Sequence, residues 1–162
     1  MNAPGLRYFE DYVPGTTRDC GSVSVDQAEI ISFARQFDPQ PFHVDPAAAA
    51  DGPFGGLIAS GWHTAGLVMR LIVENYVAAE SSLGSVGLDE LRWPYPVRPG
   101  DTLRVRVTVL EARRSQSKPD RGIVKTLIET ENQDGQPVMR ATAINFIRVR
   151  PGRVPDGEHG RE

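Results

Sequence analysis

The hydrophobic and polar positions divide the chain into a helical first part and a strand-rich second part. Apolar residues recur at helical spacing over residues 30–37 and over the longer segment 60–76. Apolar and polar residues alternate instead over 102–110, 123–130 and 138–149, as is typical of half-buried strands. This order of patterns predicts an α+β fold.

The first two predicted helices have clear boundary residues. Asp26 is placed to cap the first helix, which must end before Pro39 and Pro41 because proline lacks a backbone N–H. Asp45 followed by Pro46 predicts the start of a second, short helix, since proline is well accommodated at the first helical position. Two helices therefore precede the long apolar one.

The long helix predicted over residues 60–76 is apolar enough to need burial, most simply by a sheet wrapped round it. Turn residues at 118–122 and 134–135 join successive strands, which implies an antiparallel sheet, and residues 88–93 predict one more strand. The helix residues that fall mostly on one side are Trp62, Ala65, Gly66, Met69, Ile72, Val73 and Tyr76.

Length and composition are those of one globular domain. The chain has 162 residues, of which 40% are hydrophobic and 24% charged. We expect a single domain over residues 1–150 and a flexible tail over 151–162, which is rich in proline, glycine and charge. The net charge of -3 gives no reason to expect nucleic acid or a membrane as partner.

Cys20 is the single cysteine and has no partner for an internal disulfide, which favours a reducing compartment. Residues 1–8 lack the apolar core of a signal peptide, and polar and charged residues interrupt the apolar stretch 57–77. We therefore expect a cytoplasmic protein. Because Cys and His do not cluster at metal-site spacing, we expect no metal.

The segment that best suits catalysis is residues 38–43, which begins with Asp38 and ends with His43. On an uninterrupted helix these side chains would point about 140° apart. Pro39 and Pro41 break the helix between them, which frees the side chains to converge and stiffens the loop. A carboxylate and an imidazole that face the same water form an acid/base pair. Asp38 and His43 are therefore candidate catalytic residues.

The same segment also has an ordinary structural explanation. Asp38 could hydrogen-bond the end of the preceding helix, and His43 could be a satisfied core or surface histidine. The spacing alone does not decide between the two explanations.

A second candidate segment, residues 54–62, leads into the long helix. The first N–H groups of a helix have no internal partner, and Gly61 would let a ligand oxygen approach the backbone closely. Such an amide could stabilise negative charge on a thioester carbonyl. Alternatively, the glycines allow tight packing and Ser60 is an ordinary N-cap. The candidate oxyanion and substrate-binding residues are Phe54, Gly55, Gly56, Ser60, Gly61 and Trp62.

Together these segments resemble the MaoC-like hydratase/dehydratase family, which includes the R-specific enoyl-CoA hydratases. The family pattern Asp-x-Asn-Pro-[Ile/Leu]-His precedes an Ala-rich helix and a glycine-containing start of the long helix. Similar stretches occur here at residues 38–43, 44–50 and 54–61. A proline-rich stretch at 91–101 also matches, and the resemblance covers about residues 8–149.

The resemblance implies a hotdog fold, in which an antiparallel sheet wraps a long central helix, and pairing of two copies into a dimer. It implies that Asp38 and His43 are the hydratase dyad and that the Gly61 amide binds the thioester carbonyl. The substrate would be an acyl-CoA or acyl-carrier thioester, hydrated reversibly without a cofactor. Gln40 and Phe42 depart from the family pattern, which has Asn and a smaller aliphatic residue there.

Two other functions are considered. A hotdog thioesterase usually carries an acidic residue on the long helix, facing the ligand, whereas the only acid here is Glu74 near its far end. A non-catalytic acyl-thioester-binding subunit is less consistent with the presence of both dyad residues. The candidate cations for the carrier's phosphates are Arg92, Arg98, Arg114, Lys118 and Arg121.

Overall fold

The computed structural model describes residues 7–152 and has the predicted α+β class. A 3-10 turn, Phe9–Asp11, precedes all other elements. The helices are α1 (Gln27–Phe37), α2 (Pro41–Val44), α3 (Pro46–Ala50) and α4 (Gly61–Asn75). The strands are β1 (Thr17–Ser24), β2 (Ser82–Arg92), β3 (Thr102–Arg114), β4 (Arg121–Glu131) and β5 (Pro137–Arg148).

The five strands form one antiparallel sheet in the order β1-β3-β4-β5-β2, and α4 packs on one face of it. Val105 and Val107 of β3 are completely or almost completely buried against Val68 and Leu71 of α4. Burying each such side chain stabilises the fold by about 1.5–3 kcal/mol. The predicted arrangement of a long helix and an antiparallel sheet is therefore confirmed.

The side of α4 that faces the sheet differs from the side that the spacing suggested. Trp62, Met69 and Val73 are 60%, 53% and 53% exposed. Because α4 carries apolar residues on most of its circumference, spacing alone did not identify the buried face. The buried side contains two polar residues and four apolar ones: His63, Thr64, Leu67, Val68, Leu71 and Ile72.

Strand β1 was missed because its sequence is mostly polar and only Cys20 in it is fully buried. The pairing of β1 with β3 also shifts register between Asp19 and Ser22, which interrupts the alternation expected of a strand. The helical first part inferred from the sequence thus contains one edge strand. β2 also begins at Ser82, earlier than the predicted residue 88.

Most of the predicted tail, residues 151–162, lies outside the described residues. Within residues 7–152, none of the helices combines the length and the apolar character needed to cross a membrane.

Candidate active site

The break between α1 and α2 places Asp38 and His43 side by side. Asp38 is the C-cap of α1, and its backbone N–H donates to the carbonyl of Ala34 at 2.9 Å. The chain then turns, and Pro41 starts α2, a single helical turn that carries His43. The sequence suggested that residues 38–43 form a loop, but part of this segment is helical. Proline is favourable at the first position of a helix, and Pro41 takes that position here.

The two candidate catalytic side chains are in contact. Nε2 of His43 lies 3.3 Å from Oδ2 of Asp38. Nδ1 of His43 lies 2.8 Å from the carbonyl oxygen of Ile58, and the histidine is only 5% exposed. Because a carbonyl oxygen only accepts hydrogen bonds, Nδ1 carries the proton. In the neutral imidazole, Nε2 is then the free acceptor, directed towards Asp38.

The Asp38 carboxylate is held by two donors. The Ser60 hydroxyl donates to Oδ2 at 2.7 Å, and the Gln40 side-chain amide donates to Oδ1 at 2.7 Å. The hydrogen bond from Ser60, followed by that from Gln40, lowers the pKa of Asp38 below its ordinary value. The carboxylate is thus ionised at neutral pH and can accept a further hydrogen bond.

The start of α4 borders the same place. Ser60 is fully buried and caps α4, since its hydroxyl accepts from the N–H of Trp62 at 3.3 Å. Gly61 is the first helical residue, and none of the hydrogen bonds formed within residues 7–152 uses its backbone N–H. A Cβ on Gly61 would lie 2.6 Å from the indole of Trp93. The glycine is therefore required by close packing, whatever else it does.

One cavity of about 360 Å³ joins these groups, a size usual for small-molecule sites. The dyad and the start of α4 supply polar groups to its lining, and the rest of the lining is mainly aromatic and apolar side chains. The lining residues are Asp38, Phe42, His43, Phe54, Ile58, Ala59, Ser60, Gly61, Trp62, Thr64, Trp93, Pro94, Tyr95, Pro96, Val97 and Val138.

The sequence-predicted site residues divide into two groups. Phe54 and Trp62 line the cavity together with the dyad, Ser60 and Gly61. Gly55 and Gly56 do not line it; they have φ angles of 63° and 153° and form the turn behind Phe54. Their conformations favour glycine for backbone reasons.

Gln40 and Phe42, which depart from the family pattern, both contact the candidate catalytic residues. The amide of Gln40 reaches Asp38 despite its extra methylene. The ring of Phe42 lines the cavity and packs edge-on against His43 and Phe54, with centroid distances of 4.6 and 5.2 Å. Phe42 therefore occupies space that a smaller aliphatic side chain would leave open.

Sequence reasoning missed three contributors. The carbonyl of Ile58, which orients His43, has no side-chain signal because any residue supplies a carbonyl. Trp93 and Tyr95 also line the cavity, and their position in the proline-rich stretch of the family pattern was the available clue. Among the described residues, no three His, Cys, Asp or Glu side chains are grouped as a metal site would require.

Comparisons with known proteins identify the family and the fold. Residues 11–133 match the family described as MaoC like domain. The crystal structure of a MaoC-like dehydratase from Rhodospirillum rubrum has a TM-score of 0.84 and 46% sequence identity, covering 90% of this chain and 99% of that one. This chain therefore belongs to the MaoC-like family and has the hotdog fold, as the resemblance implied.

Two curated relatives have names that describe reactions. The 3-hydroxyacyl-thioester dehydratase Z of Mycobacterium tuberculosis is 30% identical over 127 residues, covering 77% of this chain and 84% of that protein. The 3-hydroxybutyryl-CoA dehydratase of Methylorubrum extorquens is 34% identical over 112 residues, covering 67% and 68%. Hydratase or dehydratase activity is thus supported at the level of the family.

Proposed function

We propose that this protein reversibly hydrates a 2-enoyl thioester to a 3-hydroxyacyl thioester, with Asp38 and His43 as the catalytic pair. The observation that carries the proposal is the 3.3 Å approach of Nε2 of His43 to Oδ2 of Asp38, in a cavity that also contains Gly61. The names of the two dehydratase relatives support the same class of reaction.

The hydrogen-bond pattern suits a single bound water. Nε2 of neutral His43 and the ionised carboxylate of Asp38 are both acceptors, so neither can satisfy the other across the 3.3 Å that separates them. A water that lies beside the pair can donate one hydrogen to each. Its lone pairs are then free to attack the substrate.

The reaction then follows with atoms balanced. The water oxygen bonds to C3 of the enoyl group while His43 takes a proton from it, because an imidazole is a stronger base than a carboxylate. Negative charge moves to the thioester oxygen, where the Gly61 N–H stabilises it. Asp38 stabilises the imidazolium. The proton then passes from Nε2 to C2 on the same face, and the reverse sequence removes water.

A direct assay separates this reaction from its competitors. With 2-butenoyl-CoA as substrate, we expect the enoyl absorbance to fall without release of free thiol. Thiol release would instead identify a thioesterase, which is disfavoured because Glu74 is exposed in the last turn of α4 and does not line the cavity. Binding without turnover of either the enoyl or the 3-hydroxyacyl thioester would refute catalysis.

We also propose that two copies pair along the outer edge of β2. This strand ends the sheet, and its side chains Val86 and Leu88 are 65% and 49% exposed. An unpaired apolar edge favours association, and pairing two such edges makes the sheets continuous. We expect Val86→Asp to give a monomer by light scattering, whereas Ser22→Asp on the opposite edge strand leaves a dimer. A monomeric unmodified protein would contradict pairing.

A further inference from the structure

Three of the five candidate cations proposed from the sequence have a carboxylate partner. Among the candidate cations from the sequence, Arg92 pairs with Glu90, and Arg114 pairs with Glu10. Arg121 is likewise paired, with Asp120. A cation that is already paired contributes less free energy to binding a new anion, because the existing ion pair must first be disrupted.

Arg98 differs in both its partners and its place. Within residues 7–152 it forms no salt bridge with a carboxylate. One of its terminal nitrogens donates to the carbonyl of Phe54 at 2.7 Å, and another would lie 3.3 Å from a Cβ on Gly56. Phe54 lines the cavity, as does Val97, which immediately precedes Arg98. The guanidinium therefore contacts the backbone of one lining residue, although Arg98 does not itself line the cavity.

Hydrogen bonds hold both the backbone and the side-chain end of Arg98. The backbone N–H of Arg98 donates to Oδ2 of Asp101 at 2.9 Å, and the side chain is tied to Phe54 at its far end. A guanidinium has five N–H groups, so the bond to one carbonyl leaves donors available in a planar fork. Such a fork, held in advance, matches a phosphate group.

We propose that Arg98 is the residue that binds the phosphate of the thioester carrier beside the cavity. This proposal rests on the proposed function, which places a pantetheine thioester in the cavity. Coenzyme A and an acyl carrier protein both present a phosphate at the end of pantetheine remote from the thioester. An arginine beside Phe54, with the dyad and Gly61 in the lining of the same cavity, suits a ligand that carries a phosphate at one end and a thioester at the other.

The test compares three thioesters of the same 2-butenoyl group: the coenzyme A thioester, the 4′-phosphopantetheine thioester and the pantetheine thioester, which has no phosphate. For Arg98→Ala we expect KM to rise by roughly 10–100-fold for the phosphate-bearing substrates, the usual worth of a charged hydrogen bond. We expect kcat/KM for the pantetheine thioester to stay within about twofold of the unmodified protein. Arg98→Lys should recover part of the loss.

Arg92→Ala is the matched control, because Arg92 directly precedes Trp93 of the cavity lining but is paired with Glu90 and has a side chain 71% exposed. The KM values of this variant should not change. A rise in KM for both phosphate-bearing substrates supports contact with the pantetheine phosphate that both carriers share. A rise for the coenzyme A thioester alone supports contact with its adenosine phosphates. An equal change for all three substrates, or no change for any, overturns the proposal.

If the protein is not a hydratase, the results differ from those expected if only the Arg98 proposal is wrong. The unmodified protein would then not hydrate even the pantetheine thioester. Binding of coenzyme A would then still report on Arg98, because the two tryptophans of the chain, Trp62 and Trp93, both line the cavity. A quench of their fluorescence by coenzyme A that Arg98→Ala weakens would support the phosphate site alone, and a quench that it leaves unchanged would overturn it.

Discussion

The Ser60 hydroxyl donates to Oδ2 of Asp38 at 2.7 Å, and this is the same carboxylate oxygen that lies 3.3 Å from His43. Ser60 also caps α4, on whose first residue the proposed oxyanion site depends. One buried hydroxyl therefore links the carboxylate of Asp38 to the start of the helix whose first amide we propose to bind the substrate's carbonyl.

Replacing Ser60 by alanine should raise the pKa of Asp38. The Ser60 hydrogen bond is the largest cause of that lowered pKa, so its loss makes the carboxyl easier to protonate. A carbon-13 NMR titration of the aspartate carboxyl groups measures this pKa, with Asp38→Asn identifying the signal. The lost cap should also lower the free energy of unfolding by about 1 kcal/mol.

Asp26→Ala is the control for the loss of a cap alone. Asp26 caps α1 by accepting from the N–H of Glu29 at 3.0 Å, and it does not line the cavity. This variant should be destabilised by a similar amount with the pKa of Asp38 unchanged. An equal pKa of Asp38 in the Ser60 variant and the unmodified protein would contradict the role assigned to the hydroxyl.

Gly61→Ala should destabilise the protein and displace Trp93, since the new methyl would lie 2.6 Å from the indole. Gly66→Ala lies in the same helix and meets nothing within 4 Å, so it should stabilise by about 0.5–1 kcal/mol, as alanine does inside helices. Urea unfolding of the two variants measures the contrast. If both changed stability in the same direction, the packing of Trp93 on Gly61 would be refuted.

His63 should make stability depend on pH. It is 7% exposed, its Nδ1 has no hydrogen-bond partner among the described residues, and burial lowers its pKa. Below the ordinary histidine pKa of about 6.5 the unfolded chain binds a proton that the folded chain does not. The contribution of His63 to the free energy of unfolding is therefore fully present above about pH 6.5. It decreases as the pH falls from there towards the lowered pKa of His63 in the folded protein.

Thermal melts at pH 7.5 and 5.5 test this expectation. His63→Phe removes the titration while keeping an aromatic ring against Phe33, on which His63 stacks with centroids 5.1 Å apart. The variant should lose less stability between the two pH values than the unmodified protein. An identical loss in both would assign the pH dependence to other groups.

Patterns that depend on local spacing predicted the fold well. The alternation over β3 placed Leu103, Val105 and Val107 on the buried face, and Asp45 caps α3 as expected. Where several sides of an element are apolar, as in α4, spacing did not select the buried side. β1 was missed for the opposite reason, since its pairing with β3 stabilises a strand that buries little of its own side-chain surface.

The candidate site was only partly available from the sequence. Asp38 and His43 belong to a short pattern, so their proximity could be predicted. The contacts that define their chemistry come from distant residues, the carbonyl of Ile58 and the hydroxyl of Ser60, and the indole of Trp93 lines the same cavity. Local patterns do not report such contacts, because they depend on how α4 and the segment after β2 pack around α2.

The central claim is that Asp38 and His43 act on one water as a unit. Asp38→Asn and His43→Ala should each lower kcat for hydration of 2-butenoyl-CoA by ~10²–10⁴-fold. Groups that act together are strongly non-additive, so the double variant should lie within about tenfold of the slower single variant. The most direct measurement is therefore kcat for these three variants. Losses that multiply in the double variant, or near-normal turnover in both single variants, would contradict the claim.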